Sequence, residues 1–467
     1  MEVALTEPHQ LSSNFTHLIA QAPFAGFSIA NAQLVLATAA FSVTMASLKQ
    51  PRHVAEIMLS WLGLELFSLT ELQTLWAGYG HICALTAKLA DTNGAANLDQ
   101  KPLPIRPEED GTYRLIIKLI SPPRAKGTDE GHLRKMLSYE VEQYFYQEIA
   151  PRLSDDVAVA KCLASTLDMD NKPRKEELEG LTATMDLLTA TIITDLRPDF
   201  PVAGEKRLVL NHEQVNAALD WLAKYHSSSW ASLPDDLGQF VLPPLEEAKR
   251  REAGDGVTEP KMWLNGGYTY LATRRKEYGS LCRDDYSEWS SAFCDPVEGS
   301  SSSIAELVAD FLTPSARPFE TYIHGDVKSE NLFTTKSGDK VAFFDFQYAG
   351  LGIGGCDLAK LFTCSVPVEM LTQHEDIPDE LAMDKGERTI LEKYRSTLMS
   401  QKPTGKGPDN YDWETFVRHW ETALVDWCRF QASWGFWGNT EWLEARVRHI
   451  LADQGWRDWL KKEATRN

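Results

Sequence analysis

The stretch "YIHGDVKSENLFTTKSGDKVAFFDFQ", residues 322–347, places several polar side chains around two apolar runs. His324 and Asp326 follow the first run, Asn331 comes five residues after Asp326, and Asp345 ends the second run. Phosphoryl transfer requires a carboxylate that deprotonates the acceptor hydroxyl, oxygen ligands for Mg²⁺, and a cation on the α- and β-phosphates. Magnesium keeps several waters, so one carboxylate, one amide and the phosphates of a nucleotide can hold it. The spacing therefore predicts that Asp326 faces the acceptor and that Asn331 and Asp345 bind the metal.

Each part of this pattern also occurs without a catalytic function, because His-Gly-Asp can form a turn and a single Asp can cap a strand. The joint occurrence of the parts is what favours phosphoryl transfer. The apolar strand "TYRLIIKLI", residues 112–120, lies about 200 residues upstream and holds one lysine, Lys118. A predicted helix with central glutamates, residues 132–151, follows this strand.

The composition is that of a globular protein, and the length allows two lobes. The chain has 467 residues, of which 43% are hydrophobic and 24% charged, and its formal net charge is −20. Single cores seldom exceed about 250–300 residues. The negative charge argues against partners such as nucleic acid or an anionic membrane. It fits an acidic pocket for a cationic substrate, although a merely soluble acidic surface is the simpler interpretation.

The seven cysteines are scattered and never form a CxxC pair, which indicates a reducing compartment and predicts a cytoplasmic protein. Residues 18–48 carry no formal charge, and no Lys or Arg precedes Lys49, so neither a secretory nor a mitochondrial signal is indicated. Polar residues and a proline interrupt this segment, which disfavours a spanning helix. We expect residues 1–48 to be a poorly ordered extension; a weak anchor, or a biological start at Met45, are the alternatives.

The rest of the chain is expected to be α+β, with strands concentrated in the first half. Residues 71–90 predict two strands around a turn at 77–80, and the other predicted elements are strands at 112–120 and 190–196 and helices at 132–151, 211–226 and from 389 onward. Residues 232–303 are expected to be an irregular insertion. The run "GLGIGG", residues 350–355, is glycine-rich like a dinucleotide-binding loop, but no βαβ unit accompanies it. It is therefore expected to be a flexible segment.

The segments "HGDVKSENLF", "FFDFQ" and "CDLAKLFTCSV" resemble those of the aminoglycoside phosphotransferase and choline kinase superfamily, and within it the ecdysteroid-kinase-like branch. The resemblance covers about residues 50–450. It implies a protein-kinase-like fold with a small β-rich N-lobe, residues 50–195, and a larger helical C-lobe, residues 196–467. It also implies a kinase that uses ATP and Mg²⁺ to phosphorylate a hydroxyl group of a small molecule.

The resemblance assigns roles to residues of the catalytic segment. Asp326 matches the catalytic base, Asn331 and Asp345 match the metal ligands, and His324 matches a histidine that supports the loop. Lys328 would offset charge on the transferred phosphate, or would be a surface lysine. Asp357, in "CDLAKLF", matches an aspartate that braces the catalytic loop. His226 is expected to be a buried histidine with a hydrogen-bond partner, and a place beneath that loop is compatible with this expectation.

The nucleotide site is assigned in the same way. Lys118 matches the lysine that contacts the α- and β-phosphates, and its helix partner is predicted to be Glu142, with Glu140 as the alternative. The hinge residues that would bind adenine through their backbone are Thr194, Asp195 and Leu196. Thr194 stands where the family commonly has Glu. Gly78 and Gly80 would form the phosphate-covering loop, or a plain hairpin turn.

The acceptor is not determined by the sequence. Trp413, Trp420, Trp427 and Trp434 recur every seven residues and predict a core stripe. Trp434, Trp437 and Trp442 crowd a glycine-containing break and could enclose an ammonium group, which would suit choline, an amino sugar or an alkaloid-like amine. A sterol-like alcohol against apolar walls is equally compatible. Residues 263–278 would be a substrate-facing lid or, more simply, a solvent loop.

Three other functions are weaker on the same residues. A catalytically inactive kinase-like binding protein would typically have lost one of the four key residue types. A protein kinase is disfavoured because no Asp-Phe-Gly, Ala-Pro-Glu or activation segment is recognisable. A hydrolase would need a nucleophile elbow or a metal cluster, and neither is evident.

Overall fold

The computed structural model describes residues 51–75, 78–90, 103, 105–122, 129–182, 188–254 and 261–464. The predicted extension, residues 1–48, lies outside these ranges. In the described part of the chain, no helix combines the length and the apolar character that crossing a membrane requires.

The N-terminal region is built on a five-stranded antiparallel sheet with strand order β1-β2-β3-β5-β4. Its elements in chain order are α1 (Pro51–Ser60), β1 (Leu64–Thr74), β2 (Gly80–Leu89), β3 (Tyr113–Ile120), α2 (Glu130–Tyr144), β4 (Cys162–Ser165), α3 (Lys175–Thr182) and β5 (Thr189–Thr194). The strands predicted from residues 71–90, 112–120 and 190–196 are confirmed, although β1 begins earlier than expected.

Alternation along β3 explains how this sheet serves both a core and a site. Leu115, Ile117 and Leu119 are buried in a cluster with residues of α1, while Lys118 points from the opposite face because successive strand side chains alternate. Lys118 pairs with Ile82 of β2 and Thr191 of β5 in the sheet register. The central position of β3 therefore fixes the lysine firmly.

Helix α2 starts where the Asp129 side chain accepts a hydrogen bond from the backbone of His132. The predicted helix is thus confirmed, with its start two residues earlier. It continues as a π-helical turn, Phe145–Ile149, and a short 3₁₀ turn, Ala150–Arg152. Such π turns commonly occur near functional sites. Here the Phe145 ring stacks on Phe346, with centroids 3.7 Å apart, next to the predicted metal aspartate.

The C-terminal region is mostly helical. Its elements are β6 (Val202–Ala203), α4 (His212–Ser229), α5 (Pro244–Glu252), α6 (Arg275–Leu281), α7 (Glu288–Cys294), α8 (Ile304–Leu312), β7 (Glu320–Ile323), β8 (Leu332–Thr334), β9 (Val341–Phe343), β10 (Gly350–Ile353), α9 (Gly355–Cys364), α10 (Val368–Leu371), α11 (Lys385–Ser400), α12 (Trp413–Trp434), α13 (Thr440–Ala452) and α14 (Gln454–Ala464). Strands β6, β8 and β9 form one small sheet, and β7 pairs with β10. The predicted helix at 211–226 is confirmed as α4. Its first predicted residue, Asn211, is a residue type that favours the N-cap position, and it forms a capping box with Gln214.

Two expectations for this region were wrong. The run "GLGIGG" is not a flexible segment, because Gly350–Ile353 form the buried strand β10. Residues 232–303 are not irregular throughout, since they contain α5, α6 and α7. Trp263 within them is buried and exchanges backbone hydrogen bonds with Ala349 and Leu351, which ties this segment to β10. Pairing with that strand satisfies backbone groups that a loose loop would leave to water.

The tryptophan stripe lies on α12, the longest helix in the described ranges, and is largely a core feature as expected. Trp420 and Trp427 are buried, whereas the last member, Trp434, is 51% exposed. The helix ends there because Gly435 adopts a positive φ of 131°. The end of α12 therefore projects aromatic side chains out of the core, toward the cleft described below.

Candidate active site

A buried hydrogen-bond network supports the loop that carries Asp326. The Asp357 carboxylate accepts from the backbone N–H groups of His324 (2.7 Å) and Gly325 (2.9 Å) and lies 3.1 Å from His226 Nε2. His226 Nδ1 lies 2.6 Å from the Tyr394 hydroxyl. The predictions that Asp357 braces the loop and that His226 is buried with a partner are both confirmed. Burial acts to raise the pKa of Asp357, whereas the hydrogen bond from His226 acts to lower it. The pKa lies below its usual range.

His324 is positioned to hold the loop rather than to exchange protons with a substrate. Its Nε2 lies 2.9 Å from the carbonyl oxygen of Phe344, and its Nδ1 accepts from the backbone N–H of Asp326 at 3.3 Å. This pattern requires a neutral ring protonated on Nε2. Burial lowers the pKa of His324, although Asp357 acts in the opposite direction. The ring therefore links the predicted base to the strand that leads into Asp345.

Gly325 allows the chain to turn between these two residues. Its φ is +81°, and a Cβ at this position would lie 2.1 Å from the carbonyl oxygen of Tyr348. Only glycine fits both conditions. The close contact between the loop that carries Asp326 and the backbone of Tyr348 thus depends on the absence of a side chain at Gly325.

Asp326 projects beyond this turn with two donors on one oxygen. Its Oδ2 accepts from Asn331 Nδ2 at 3.1 Å and lies 3.1 Å from Lys328 Nζ. Lys328 also contacts Glu330 at 3.0 Å. Burial acts to lower the pKa of Lys328, but these two carboxylates raise it above its usual value. The ammonium therefore stays charged beside Asp326. Lys328 is accordingly not an isolated surface lysine.

The two predicted metal ligands lie next to the ends of two adjacent strands of the small sheet. Asn331 directly precedes β8 and Asp345 follows β9 by two residues, and the backbone N–H of Phe344 donates to the carbonyl of Asn331 at 3.0 Å. Asp345 adopts a left-handed conformation with φ 65° and ψ 59°. A non-glycine residue in this region stores strain of about 1–3 kcal/mol, as is common at functional sites.

Oxygen donors at these two residues suit Mg²⁺. The Asn331 side-chain nitrogen donates to both the backbone and the carboxylate of Asp326, which leaves the amide oxygen facing away from that residue. No group of three or more His, Cys, Asp or Glu residues that could hold a metal occurs in the described ranges. One carboxylate and one amide would thus depend on phosphates and water for the other ligands, which matches the habits of magnesium.

Lys118 joins the sheet of the N-terminal region to this site. Its ammonium forms an ion pair with Glu142 of α2 and lies 3.3 Å from Asp345 Oδ1. Burial acts to lower the pKa of Lys118, but the two carboxylates raise it above its usual value. Burial raises the pKa of Glu142 to about 7, against the opposing effect of Lys118. Glu142 is therefore the helix partner of the lysine, whereas Glu140 pairs with Arg251 at 2.9 Å.

Gln347, which sequence reasoning did not single out, also orients Asp345. Its Nε2 donates to Asp345 Oδ1 at 2.6 Å, and its Oε1 accepts from Ser138 of α2 at 3.3 Å. The residue occupies the place of the glycine in Asp-Phe-Gly. That substitution in "DFQ" was the available signal, because a side chain there can do what glycine cannot.

The predicted hinge offers fewer backbone groups than expected. The N–H of Thr194 donates to Lys161, and the N–H of Asp195 donates to a carbonyl of β3. The Asp195 carboxylate is occupied by Arg197. Among the described residues, no partner accepts from the N–H of Leu196 or donates to the carbonyl of Asp195. These two groups are therefore the ones left for an adenine ring.

The glycines of the predicted phosphate loop have structural reasons of their own. Gly78 has a φ of +73° and donates its N–H to Leu75, and a Cβ on Gly80 would lie 2.0 Å from the carbonyl of Leu119. Both are needed to close the β1–β2 turn. Ala77 lies outside the described residues, and the contact of this loop with phosphates stays a prediction.

A cavity of about 620 Å³ opens beside Asp326, within the usual size for a small-molecule site. Its walls come from the start of α2, the chain after β6, residues 268–277, the catalytic loop, α9 and the end of α12. The basic side chains that line it are Arg134, Lys135, Lys206, Arg207, Arg274, Lys328 and Lys360, and the acidic ones are Glu277, Asp326 and Glu330. An acidic pocket for a cationic substrate is thus not what the structure shows.

The aromatic residues around the cavity were only partly foreseen. Trp434 and Trp437 line it, but Trp442 is fully buried in the core and cannot contribute. Residues 263–278 are not a solvent loop, because Trp263 and Arg274 in this segment are buried, and Tyr268, Arg274 and Glu277 line the cavity. The Arg274 guanidinium lies 3.9 Å from the ring centroid of Tyr268, so a protein cation already occupies this aromatic face.

Residues 105–377, more than half of the chain, match the ecdysteroid kinase-like family. The chain belongs to this family. The resemblance inferred from the catalytic segments is thereby confirmed, and so is the protein-kinase-like fold, with its antiparallel N-terminal sheet and mostly helical C-terminal region. None of the curated proteins matches the chain.

Several solved structures resemble this ecdysteroid kinase-like protein. They include the amicoumacin kinase hAmiN in complex with AMP-PNP, Ca²⁺ and Ami (10% identity, TM-score 0.37, 91% of this chain and 96% of that one). Others are the ethanolamine kinase of Plasmodium vivax (11%, 0.34, 85% and 83%) and the choline kinase LicA of Streptococcus pneumoniae (12%, 0.33, 89% and 98%). Similarity at this level says nothing about the substrate of this chain.

Proposed function

We propose that this protein is a kinase that uses ATP and Mg²⁺ to phosphorylate a hydroxyl group of a small molecule. The observation that carries the proposal is that Lys118 of β3 contacts both Glu142 of α2 and Asp345, which follows the lysine by 227 residues. Lys118 Nζ lies 3.3 Å from Asp345 Oδ1. A cation for phosphates and oxygen ligands for a metal are thereby in contact, and both functions are needed for phosphoryl transfer.

In this proposal Lys118 binds the α- and β-phosphates while Asn331 and Asp345 hold Mg²⁺. The metal ion would neutralise charge that develops on the phosphates. Glu142 keeps the lysine ammonium in place, and Gln347 orients the carboxylate of Asp345. The backbone groups left at the hinge, the N–H of Leu196 and the carbonyl of Asp195, would pair with adenine.

Asp326 acts on the acceptor. The carboxylate takes the proton of the hydroxyl group as that oxygen forms a bond to the γ-phosphorus, and the bond from this phosphorus to the β–γ bridging oxygen of ATP breaks. The products are a phosphate ester, ADP and a proton that passes from Asp326 to solvent. Lys328, 3.1 Å from the carboxylate, offsets negative charge on the group in transfer. The cavity beside Asp326 would hold the rest of the acceptor.

The alternative is an inactive family member that only binds a nucleotide or a small molecule. The retained Asp326, with its hydrogen bond from Asn331 and its support from His324, favours the active enzyme. The free thiols of all seven cysteines support the accompanying proposal of a reducing, cytoplasmic environment.

Nucleotide binding is tested by thermal denaturation with AMP-PNP and Mg²⁺. We expect the complex to raise the melting temperature of the wild type, because a ligand that binds only the folded state stabilises it. Asp345→Asn should lose most of the magnesium-dependent part of this shift. Asp339→Asn is the matched control, since Asp339 is an exposed aspartate in the turn between β8 and β9. An unchanged melting temperature in the wild type would overturn the proposal.

A further inference from the structure

The charge of the cavity beside Asp326 is opposite to that of the whole chain. The formal net charge is −20, yet seven basic and only three acidic side chains line this cavity. Two of the acidic residues, Asp326 and Glu330, are already paired with Lys328. A local excess of positive charge in an acidic protein indicates a site that attracts an anion.

The nucleotide does not account for all of this charge. Its α- and β-phosphates are assigned to Lys118, which does not line the cavity and lies on the side of Glu142 and Asp345. The cavity extends from Asp326 along α9 to the end of α12. Two basic residues, Arg274 just before α6 and Lys360 on α9, line this cavity, which the acceptor would occupy.

Arg274 is the clearest of these groups. It is 1% exposed, and its Nε donates to the carbonyl of Tyr268 at 2.8 Å. Its nearest carboxylate, Glu277, is 3.5 Å away from Nη1, and Nη2 is buried without a hydrogen-bond partner. Tyr268 and Trp434 lie within cation–π distance of the guanidinium. The planar group is thus held rigidly with one nitrogen unsatisfied.

Lys360 on α9 is the second. It is 4% exposed, and its ammonium donates to the carbonyl of Cys356 at 3.3 Å. Among the described residues, no carboxylate lies within 4 Å of this ammonium. A Cβ on Gly267 would lie 3.7 Å from Lys360 Nζ and 3.9 Å from the carbonyl oxygen of Gly325. The ammonium and the backbone that leads into Asp326 therefore border the same space beside Gly267.

A buried cation without an anionic partner, such as Lys360, and a buried guanidinium nitrogen without an acceptor, such as Nη2 of Arg274, are both unfavourable, and an anion that enters the site relieves both. We propose that the acceptor is a hydroxylated compound with an oxyanion group (carboxylate, sulfate or phosphate), and that Arg274 and Lys360 bind this group. The apolar body of the acceptor packs on Trp434 and Trp437, while its hydroxyl reaches Asp326. This inference rests on the proposed kinase function and specifies its substrate class.

Two pairs of compounds test the preference for an anion without any nucleotide. Phenyl β-D-glucuronide has a carboxylate where phenyl β-D-glucoside has a hydroxymethyl group, and hydroxyphenylacetate has a free carboxylate where its methyl ester is neutral. We expect calorimetric titration of the wild type to show that each acid binds about tenfold or more tighter than its neutral partner, as for a charge-assisted hydrogen bond. Sulfate and phosphate esters of phenyl glucoside then show which oxyanion is preferred.

The variants Arg274→Gln and Lys360→Met should each remove most of this preference while Mg²⁺·AMP-PNP still binds. The control is Lys249→Met, which removes an equal charge from an exposed position on α5 and should leave the preference unchanged. Lys360→Met should not lower the melting temperature of the free protein, because the ammonium has no buried carboxylate partner to lose. A structural role for Lys360 predicts a lower melting temperature instead.

Equal binding of acid and neutral partner by the wild type would overturn the inference, as would tighter binding of the neutral compound or no binding of either acid. These results would leave the proposed kinase standing if Mg²⁺·AMP-PNP still stabilises the protein. Loss of the nucleotide effect alone would instead count against the kinase.

Discussion

Beneath the catalytic loop, the buried carboxylate of Asp357 has hydrogen bonds from His226 and from two backbone N–H groups. In the cavity on the other side of the loop, the buried guanidinium of Arg274 keeps a nitrogen without a partner. The two charged groups are buried to the same degree, but only the carboxylate has a protein partner for each of its polar atoms. A completed network fixes geometry, whereas an incomplete one has a place for a ligand.

The largest effect is expected beneath the loop. Asp357→Ala removes the acceptor for two backbone N–H groups and for His226, and we expect the free energy of unfolding to fall by about 3–5 kcal/mol. Chemical denaturation measures this change. Asp220→Ala is the control, because Asp220 forms a half-exposed ion pair with Lys224 on the helix that carries His226. It should cost less than about 1 kcal/mol. Similar losses for the two variants would contradict the bracing role.

The next effect separates the two glutamates of α2. Glu142→Gln removes the ion pair that holds Lys118, so we expect the Kd for Mg²⁺·ATP to rise about tenfold or more. Glu140→Gln removes only the contact with Arg251 and should change this Kd by less than about twofold. Titration of both variants with the nucleotide gives the comparison. Equal changes would show that Lys118 does not depend on Glu142.

Two buried histidines, His419 and His324, predict how the free energy of unfolding responds to acid. Burial lowers the pKa of His419 to about 3, and Arg317 adds to this effect; burial also lowers the pKa of His324. The unfolded chain therefore binds more protons than the folded one below the usual histidine pKa of about 6.5. The stability is fully present above this pH and is lost as the pH falls, for His419 down to about pH 3, by up to about 1.4 kcal/mol per pH unit for each histidine that takes up a proton on unfolding.

The histidine effect is measured as the slope of stability against pH between about 6.5 and 5. His419→Gln, which removes the ring beside the Tyr411 hydroxyl, should flatten this slope. The exposed His374→Gln should leave it as in the wild type. An unchanged slope in His419→Gln would mean that this buried histidine takes up its proton without unfolding.

The smallest effect is expected in the cavity. Lys360→Met should change the free energy of unfolding by less than about 1 kcal/mol, or raise it, since a buried ammonium without a carboxylate is costly. Its contrast with Asp357→Ala, on the same helix and three residues away, tests the comparison directly. A loss of several kcal/mol in Lys360→Met would show that the two regions are equally satisfied by the protein.

The sequence was sufficient for the fold and for much of the site's anatomy, because these depend on local spacing. The Asp326–Asn331 interval, the alternation around Lys118 and the capping of α4 by Asn211 each follow from a few neighbouring residues. The contacts between distant segments could not be predicted from the sequence. Pairing of Trp263 with β10 was not visible because it depends on backbone groups, whose bonding the residue types do not reveal. Spacing alone could not decide between Glu140 and Glu142 either.

The character of the cavity was missed for a related reason. The overall charge of −20 was compatible with an acidic pocket, although a soluble acidic surface was the simpler interpretation. The basic residues of the walls are dispersed over the sequence from Arg134 to Lys360. Only the fold brings them to one place. The aromatic cluster at the end of α12 was visible in the sequence, but not that Arg274 already lies against it.

Transfer of phosphate to an acceptor is the central claim, and the most direct measurement is ATP consumption by the wild type and by Asp326→Asn across hydroxylated compounds. The panel should contain choline, amino sugars, sterol-like alcohols and the hydroxylated acids described above. We expect ATP consumption that depends on the acceptor and falls by about a hundredfold or more in Asp326→Asn, while the variant still binds Mg²⁺·ATP. Acceptor-dependent consumption that persists in Asp326→Asn would contradict the role of this residue. Failure of the wild type to bind Mg²⁺·ATP would contradict the kinase itself.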